Sequence, residues 1–160
     1  MKRLFLGIAL ALALVIPSSL WAAAPGTCVH TPYQYGPGSF IKVTLVCTAG
    51  AGGDISTQTM ASATMTALTG YYYLFQVIAR PTTGGTAPDA ADIQVLMDGM
   101  DLLGGKGANL INATTTQDTF PYSTFMSSYR FPAITNTLTL TVANQATNAA
   151  NYTIDLVFVR

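Results

Sequence analysis

The chain has 160 residues and few charges: seven Lys and Arg together, seven Asp and no Glu. A surface with so little charge offers no electrostatic footprint for nucleic acid or an anionic membrane, so neither is expected as a partner. The lack of Glu and the small number of Lys and Arg also disfavour solvent-facing helices, whereas the abundant Thr, Val, Tyr and Phe suit strands.

Residues 1–24 have the three parts of a secretory signal peptide. A basic head at Lys2-Arg3 precedes an apolar run from Leu4 to Ile16, and small residues follow it. The apolar run is shorter than the roughly 20 residues that cross a bilayer, so we expect no stable membrane anchor after processing. We predict cleavage after Ala22 or Ala24 and a secreted, periplasmic or cell-surface location. The mature chain then carries five basic residues against seven aspartates, a net charge of −2.

The segment after the cleavage site carries one of the two cysteines. Export places Cys28 and Cys47 in an oxidising compartment, so we predict a disulfide between them. Closing such a loop stabilises by about 3 kcal/mol on the chain-entropy model. His30, the only histidine, adds too few ligands for a tetrahedral metal site. Residues 25–39 are rich in turn residues and are predicted to form an N-terminal arm or long loop.

The next segments are predicted to be mainly strands. Phe40–Cys47 has the length and β-branched content of a strand. Ile55–Thr69 fits either a strand or a helix, and the absence of charge from a would-be outer helical face favours the strand. Tyr71–Arg80 is the most apolar mature segment and indicates a central strand with both faces covered. Ile93–Met97 alternates as a strand with one covered face, and Asp98-Gly99 indicates a tight turn.

The C-terminal part has the clearest alternation, whereas residues 109–132 are aromatic-rich and irregular, with one short strand at most. Short strands without a convincing helix between them predict an all-β single domain over residues 40–160, an antiparallel β-sandwich or jelly roll. We expect its core to receive the alternating apolar residues Leu138, Leu140, Val142, Ile154, Leu156 and Phe158.

Groups for acid–base chemistry are scarce, and we predict no enzyme and no cofactor. A calcium site remains open from four loop aspartates, although their spacing matches no EF-hand and turn aspartates usually bind their own backbone: Asp89, Asp92, Asp98 and Asp101. The glycine-rich stretch Leu102–Gly107 lacks the Gly-Lys-Ser/Thr ending of a phosphate-binding loop.

The order of features from Leu74 to Asn109 carries a resemblance to a known class of proteins. A strand is followed by Thr86-Ala87-Pro88-Asp89, the strand Asp92–Leu96, Asp98-Gly99 and Asp101-Leu102-Leu103-Gly104-Gly105, and later by Leu138-Thr139-Leu140 and Ile154–Arg160. This order resembles small β-sandwich proteins encoded among phage and prophage virion structural genes. The resemblance implies a non-enzymatic structural role, such as capsid decoration or a fibre-associated part. The signal peptide and the segment with Cys28 are departures from that family.

Weakly charged, Thr- and Asn-rich strands favour association through a strand edge or an apolar patch. We therefore expect an exported structural or interaction protein that acts through its surface, by self-association or in a larger assembly. Thr139 and Thr141 are candidate contact residues on an exposed strand. The alternative is a ligand- or glycan-binding module whose stacking faces are Tyr33, Tyr35, Tyr122 and Tyr129.

Overall fold

The computed structural model describes residues 24–35 and 40–160, without the side chains of residues 33–35. The predicted signal peptide lies outside the described residues except for Ala24. Strands dominate the described ranges, and one short helix interrupts them. The elements are β1 Thr27–Tyr35, β2 Phe40–Thr48, β3 Gln58–Thr59, α1 Ser62–Leu68, β4 Tyr73–Pro81, β5 Asp92–Met97, β6 Met100–Asp101, β7 Gln117–Thr119, β8 Tyr122–Ser123, β9 Ser128–Tyr129, β10 Leu138–Ala143 and β11 Asn151–Val159.

Two antiparallel sheets form the body of the domain. The larger sheet has the strand order β1-β2-β11-β4-β7, and the smaller has the order β3-β10-β5-β6. The strands β8 and β9 form a separate hairpin. The last strand, β11, lies between β2 and β4, so both of its edges are paired. The predicted all-β, sandwich-like fold is confirmed.

The core is built from the alternating residues of the long strands. In β2, Ile41, Val43 and Leu45 are buried and alternate with more exposed neighbours. The core residues expected in β10 and β11 belong to the same cluster, with Val142 partly buried and the others completely buried: Leu138, Leu140, Ile154, Leu156 and Phe158. Burial of one such side chain contributes roughly 1.5–3 kcal/mol, so these strands supply much of the hydrophobic stabilisation.

The segment predicted as an arm or loop contains an edge strand. Thr27–Tyr35 form β1, which pairs with β2 along its whole length. Cys28 and Cys47 lie directly opposite each other with Cα atoms 4.0 Å apart, and they form the predicted disulfide. So short a Cα–Cα distance is typical of a non-hydrogen-bonded pair in an antiparallel sheet. In such a pair the N–H and C=O groups of both residues point away from the partner strand. Pro32 lies four residues after Cys28, so its backbone also points away from β2. Its ring nitrogen therefore faces the free edge of the sheet, and no hydrogen bond between β1 and β2 is lost.

The strand predicted over Ile55–Thr69 is wrong for most of its length. Only Gln58–Thr59 are paired as a strand, and Ser62–Leu68 form α1. Met65 and Leu68, three residues apart, are both buried and fix the helix on the core. A helix of seven residues is stabilised by this packing rather than by its own propensity, so the lack of outer charges does not prevent it.

The tight turn predicted at Asp98-Gly99 joins β5 to β6. Both residues have positive φ angles, 52° and 78°, as a two-residue type I′ hairpin requires. Within residues 24–35 and 40–160, no helix has the length and hydrophobicity to span a bilayer. The disulfide is compatible with an extracellular or periplasmic location.

Candidate functional site

The region with the most exposed apolar residues is a hairpin that we call the aromatic hairpin, residues 120–132. Its two strands pair Tyr122 with Tyr129 and Ser123 with Ser128. The tip is closed by a hydrogen bond from the Met126 N–H to the Ser123 hydroxyl oxygen, 3.2 Å. Ser127 has a positive φ of 48°, which turns the chain into β9. The hairpin therefore has a defined geometry although its strands are only two residues long.

A chain of ring contacts fixes the aromatic hairpin to the larger sheet. The Phe75 ring of β4 lies 5.1 Å from the Phe131 ring and 5.6 Å from the Phe120 ring, measured between centroids. Phe120 in turn meets Tyr129 edge-on, and Tyr129 meets Tyr122 at 5.3 Å. These separations lie in the range of favourable aromatic pairs. These contacts attach the hairpin to β4 through the Phe75 ring.

The glycine-rich loop after β6 packs against β8 of the aromatic hairpin. The Tyr122 N–H donates to the carbonyl of Leu102, 3.2 Å. Gly104 has a positive φ of 54°, and a Cβ at this position would lie only 2.4 Å from the Tyr122 carbonyl oxygen. Glycine is therefore required here because the two backbones touch. The loop that superficially resembles a phosphate-binding motif is a packing surface for β8.

An apolar groove of about 310 Å³ runs beside the hairpin tip, and we call it the aromatic groove. Phe125 lines it and is 96% exposed, the largest exposed fraction among the bulky apolar side chains of the described residues. Met126 and Tyr129 are exposed nearby. The groove is lined by Met97, Met100, Asp101, Leu102, Tyr122, Ser123, Thr124, Phe125, Arg130, Phe131 and Pro132. A cluster of exposed apolar side chains of this kind indicates a binding surface.

Charges of both signs surround the aromatic groove. Lys106 places its ammonium 4.7 Å from the centroid of the Tyr122 ring, and Arg130 lies exposed on the groove wall. Asp101 accepts hydrogen bonds from the N–H groups of Leu103 and Gly105, at 3.0 and 2.8 Å. Asp98, in the neighbouring turn, accepts one from the Asn136 amide, 2.7 Å. Asp101 and Arg130 therefore place one charge of each sign on the lining of the groove.

The structure brings together two of the four tyrosines proposed for stacking. Tyr122 and Tyr129 face each other in the aromatic hairpin. The backbone of Tyr33 and Tyr35 belongs to β1, at the edge of the larger sheet opposite β7, and their side chains lie outside the described residues. The four tyrosines therefore do not come from one region of the fold.

The candidate contact residues Thr139 and Thr141 lie on β10, within the smaller sheet. Thr139 is paired with Thr59 of β3 on one side and with Leu96 of β5 on the other. Thr141 donates from its hydroxyl to the Gln94 side-chain oxygen, 3.3 Å. At Thr139 both strand edges are occupied, so this position cannot pair with a further strand.

The four aspartates proposed for calcium each accept hydrogen bonds within the fold, Asp101 from its own loop and the other three from other segments of the chain. Asp89 accepts from the Ala146 N–H, and Asp92 accepts from the Asn109 N–H and the Asn144 amide. Asp98 and Asp101 are occupied as described above. Across residues 24–35 and 40–160, no three His, Cys, Asp or Glu side chains gather as a metal site would need.

A buried carboxylate ties three strands together on the outer face of the larger sheet. Asp155 of β11 is only 2% exposed. One of its oxygens accepts from the Thr44 hydroxyl, 2.6 Å, and the other from the Arg80 guanidinium. The Lys42 ammonium lies 4.0 Å from the second oxygen. Both carboxylate oxygens thus have partners on β2 and β4, which gives Asp155 a structural use.

Two further polar groups of the sequence are also held within the fold. The His30 ring lies 3.2 Å from the Gln58 side-chain oxygen, and the neighbouring Cys28 is in the disulfide, so no Cys–His nucleophile forms. The Tyr152 hydroxyl is buried and has no hydrogen-bond partner among the described residues. This burial raises the pKa of Tyr152, and the negative charge of Asp89 raises it further.

Sequence reasoning missed the most exposed members of the surface, above all Phe125, Phe131 and Met100. The aromatic enrichment of residues 120–131 was the available indication, but composition alone does not distinguish a ring that anchors a loop from one that projects into solvent. Comparison with known protein families, curated proteins and solved structures found no match to this chain.

Proposed function

We propose that this chain is an exported interaction protein that acts through the aromatic hairpin and the groove beside it, without catalysis. The observation that carries the proposal is Phe125, which is 96% exposed beside an apolar groove of about 310 Å³. Exposing so many apolar side chains in one place has no benefit for an isolated domain, since it favours aggregation. Contact with a partner removes this surface from water.

The composition of the surface favours a protein as the partner. Aromatic residues, Met and Arg are enriched in protein–protein interfaces, and buried aromatic or Arg side chains carry most of the binding energy. The groove and its rim contain these residue types: Tyr122, Tyr129, Phe125, Phe131, Met100, Met126 and Arg130.

The cellular setting is part of the proposal. The basic, apolar and small-residue segments of residues 1–24 support export through a cleaved signal peptide, and the disulfide is compatible with that route. The resemblance to virion β-sandwich proteins supports a role as one component of a larger assembly, of the decoration or fibre type. N-terminal sequencing of the exported protein tests the first part and should place the new terminus after Ala22 or Ala24.

The binding proposal is tested with the mature protein immobilised and exposed to the secreted proteins of the cells that produce it. We expect Phe125→Asp to lose the recovered partner, including any further copies of the chain. Val29→Asp is the matched control, because Val29 is also exposed, at 68%. It lies on β1, the edge strand opposite β7, whereas the aromatic hairpin packs on β4. Equal recovery by the parent and Phe125→Asp would contradict the proposal. Binding to a glycan array that Tyr129→Ala abolishes and Phe125→Asp retains would favour the glycan-binding alternative.

A further inference from the structure

The aromatic hairpin presents a projecting ring and a recess on the same surface. Phe125 projects almost fully into solvent, and it also forms part of the wall of the aromatic groove. A surface that carries both a projection and its receptacle can meet an identical copy through a two-fold axis, because each copy then supplies the projection for the other. Two-fold dimers are the commonest closed assemblies of identical chains.

The dimensions of the groove suit a phenyl ring. An apolar cavity of about 150 Å³ in a protein is large enough to hold benzene. The aromatic groove has about twice that volume, about 310 Å³, and it is lined by flexible Met97 and Met100 together with Leu102. Methionine side chains adapt their shape to an incoming aromatic ring and make favourable sulfur–aromatic contacts. The Phe125 ring of a second copy therefore fits the groove in size and in chemistry.

The charges around the groove are also self-complementary. Arg130 and Asp101 line the groove and carry opposite charges, and Lys106 lies over the ring of the groove residue Tyr122. A second copy presents an equal set of both signs, so the rims of two copies can pair without net repulsion. An anionic bilayer would attract one half of this set and repel the other.

We infer that the partner of the aromatic hairpin is a second copy of this chain, with Phe125 of each copy seated in the aromatic groove of the other. This inference rests on the proposed function and specifies its partner. Two other surfaces that could join copies are poorer candidates. The free edge of β1 is interrupted by Pro32, which has no N–H to donate, and β10 is paired on both sides at Thr139.

The first test measures the mass of the mature, disulfide-bonded protein by sedimentation equilibrium over a wide concentration range. We expect a monomer–dimer equilibrium in the parent. Phe125→Asp, or Met100→Asp on the groove wall, should raise the dimer Kd at least about 30-fold, as for a hot-spot residue. Val29→Asp and Thr141→Lys are the controls and should change the Kd by less than about twofold. Circular dichroism establishes that each variant is folded.

A second test fixes the geometry of the contact. Chains with Phe125→Cys and chains with Met100→Cys are prepared separately, mixed and oxidised gently. If Phe125 of each copy enters the groove of the other, the disulfide between a Phe125→Cys chain and a Met100→Cys chain should form in larger amount than a disulfide between two identical chains. Predominant self-crosslinking of Phe125→Cys would mean that the tips meet each other, and the inferred exchange would be wrong.

The remaining outcomes separate this inference from the proposed function. A parent protein that is monomeric at every concentration overturns the inference. The proposed function survives that result if Phe125→Asp still loses a secreted partner in the binding test. Dimers dissolved by Val29→Asp or Thr141→Lys, but not by Phe125→Asp, would place the contact on a sheet. Sedimentation of a monomeric parent with phosphatidylcholine–phosphatidylglycerol vesicles, lost in Phe125→Asp, would identify a membrane as the partner instead.

Discussion

The central strands and the aromatic hairpin use apolar residues in opposite ways. In β10 and β11, Leu140, Leu156 and Phe158 are completely buried and alternate with residues of the outer face. In the aromatic hairpin, Phe125 is exposed in the turn and Tyr129 is exposed on β9, and the two strands of the hairpin are too short to cover a sheet face. The difference teaches that the fold is stabilised in one region and carries its proposed binding surface in another. Substitutions in each region should therefore affect different properties.

The largest expected effect separates the two regions directly. Leu156→Ala removes a completely buried side chain from the centre of the larger sheet and should lower the free energy of unfolding by roughly 2 to 5 kcal/mol. Phe125→Ala removes a larger side chain from solvent and should change it by less than about 0.5 kcal/mol. Urea denaturation of both variants measures the contrast. Similar losses in the two would mean that Phe125 is part of the core.

A smaller effect is expected where the two regions meet. Gly104→Ala places a Cβ against the Tyr122 carbonyl oxygen at a positive φ. The backbone conformation alone costs roughly 1 to 2 kcal/mol for a residue with a Cβ. Because the clash falls on β8, the aromatic hairpin should shift and partner binding should weaken while the strand content is kept. Gly99→Ala is a useful control, since Gly99 also has a positive φ but a Cβ there would contact nothing. Unchanged binding in Gly104→Ala would show that the glycine loop does not position the hairpin.

The smallest effect concerns the buried hydroxyl of Tyr152. Tyr152→Phe removes an unpartnered polar group, so stability at neutral pH should stay equal or rise by about 1 kcal/mol. The folded chain keeps the phenol proton to higher pH than the unfolded chain does, because the pKa is raised. The free energy of unfolding is therefore unaffected by this group below about pH 10, which is the pKa of tyrosine in the unfolded chain. Above that pH it falls by up to about 1.4 kcal/mol per pH unit.

Thermal unfolding of Tyr152→Phe and the parent at a series of alkaline pH values measures this effect. The variant should lose less stability than the parent as the pH rises. Parallel curves for the two proteins would show that the phenol does not remain protonated in the folded state.

Long alternating strands were the part of the fold that could be predicted. The Leu138–Val142 and Ile154–Phe158 patterns identify a strand and its buried face, because side chains in a strand alternate between two faces. The Cys28–Cys47 disulfide was predicted from the even number of cysteines and the predicted signal peptide. The β1 strand was not predicted because Pro32 is compatible both with a turn and with the free edge of a sheet. Only the pairing with β2 distinguishes the two.

The aromatic hairpin could be predicted in composition but not in geometry. Tyr122 and Tyr129 stood out as aromatic residues in an irregular segment, yet their pairing depends on the turn at residues 124–127. The attachment of the hairpin depends on the contacts of Phe75 with Phe120 and Phe131, which join residues far apart in the sequence. A strand of two residues is too short to show an alternating pattern, so the sequence does not indicate which residues of the hairpin are buried.

The disulfide also limits how copies of the chain can exchange parts. Without a covalent link, an N-terminal edge strand such as β1 could leave its own sheet and take the equivalent place in another copy, which is domain swapping. The bond between Cys28 and Cys47 joins β1 to β2 of the same chain, across facing positions of the ladder. Once the bond has formed, β1 cannot dock on another molecule's β2 without bringing its own β2 along. Oxidation thus keeps β1 in the sheet of its own chain.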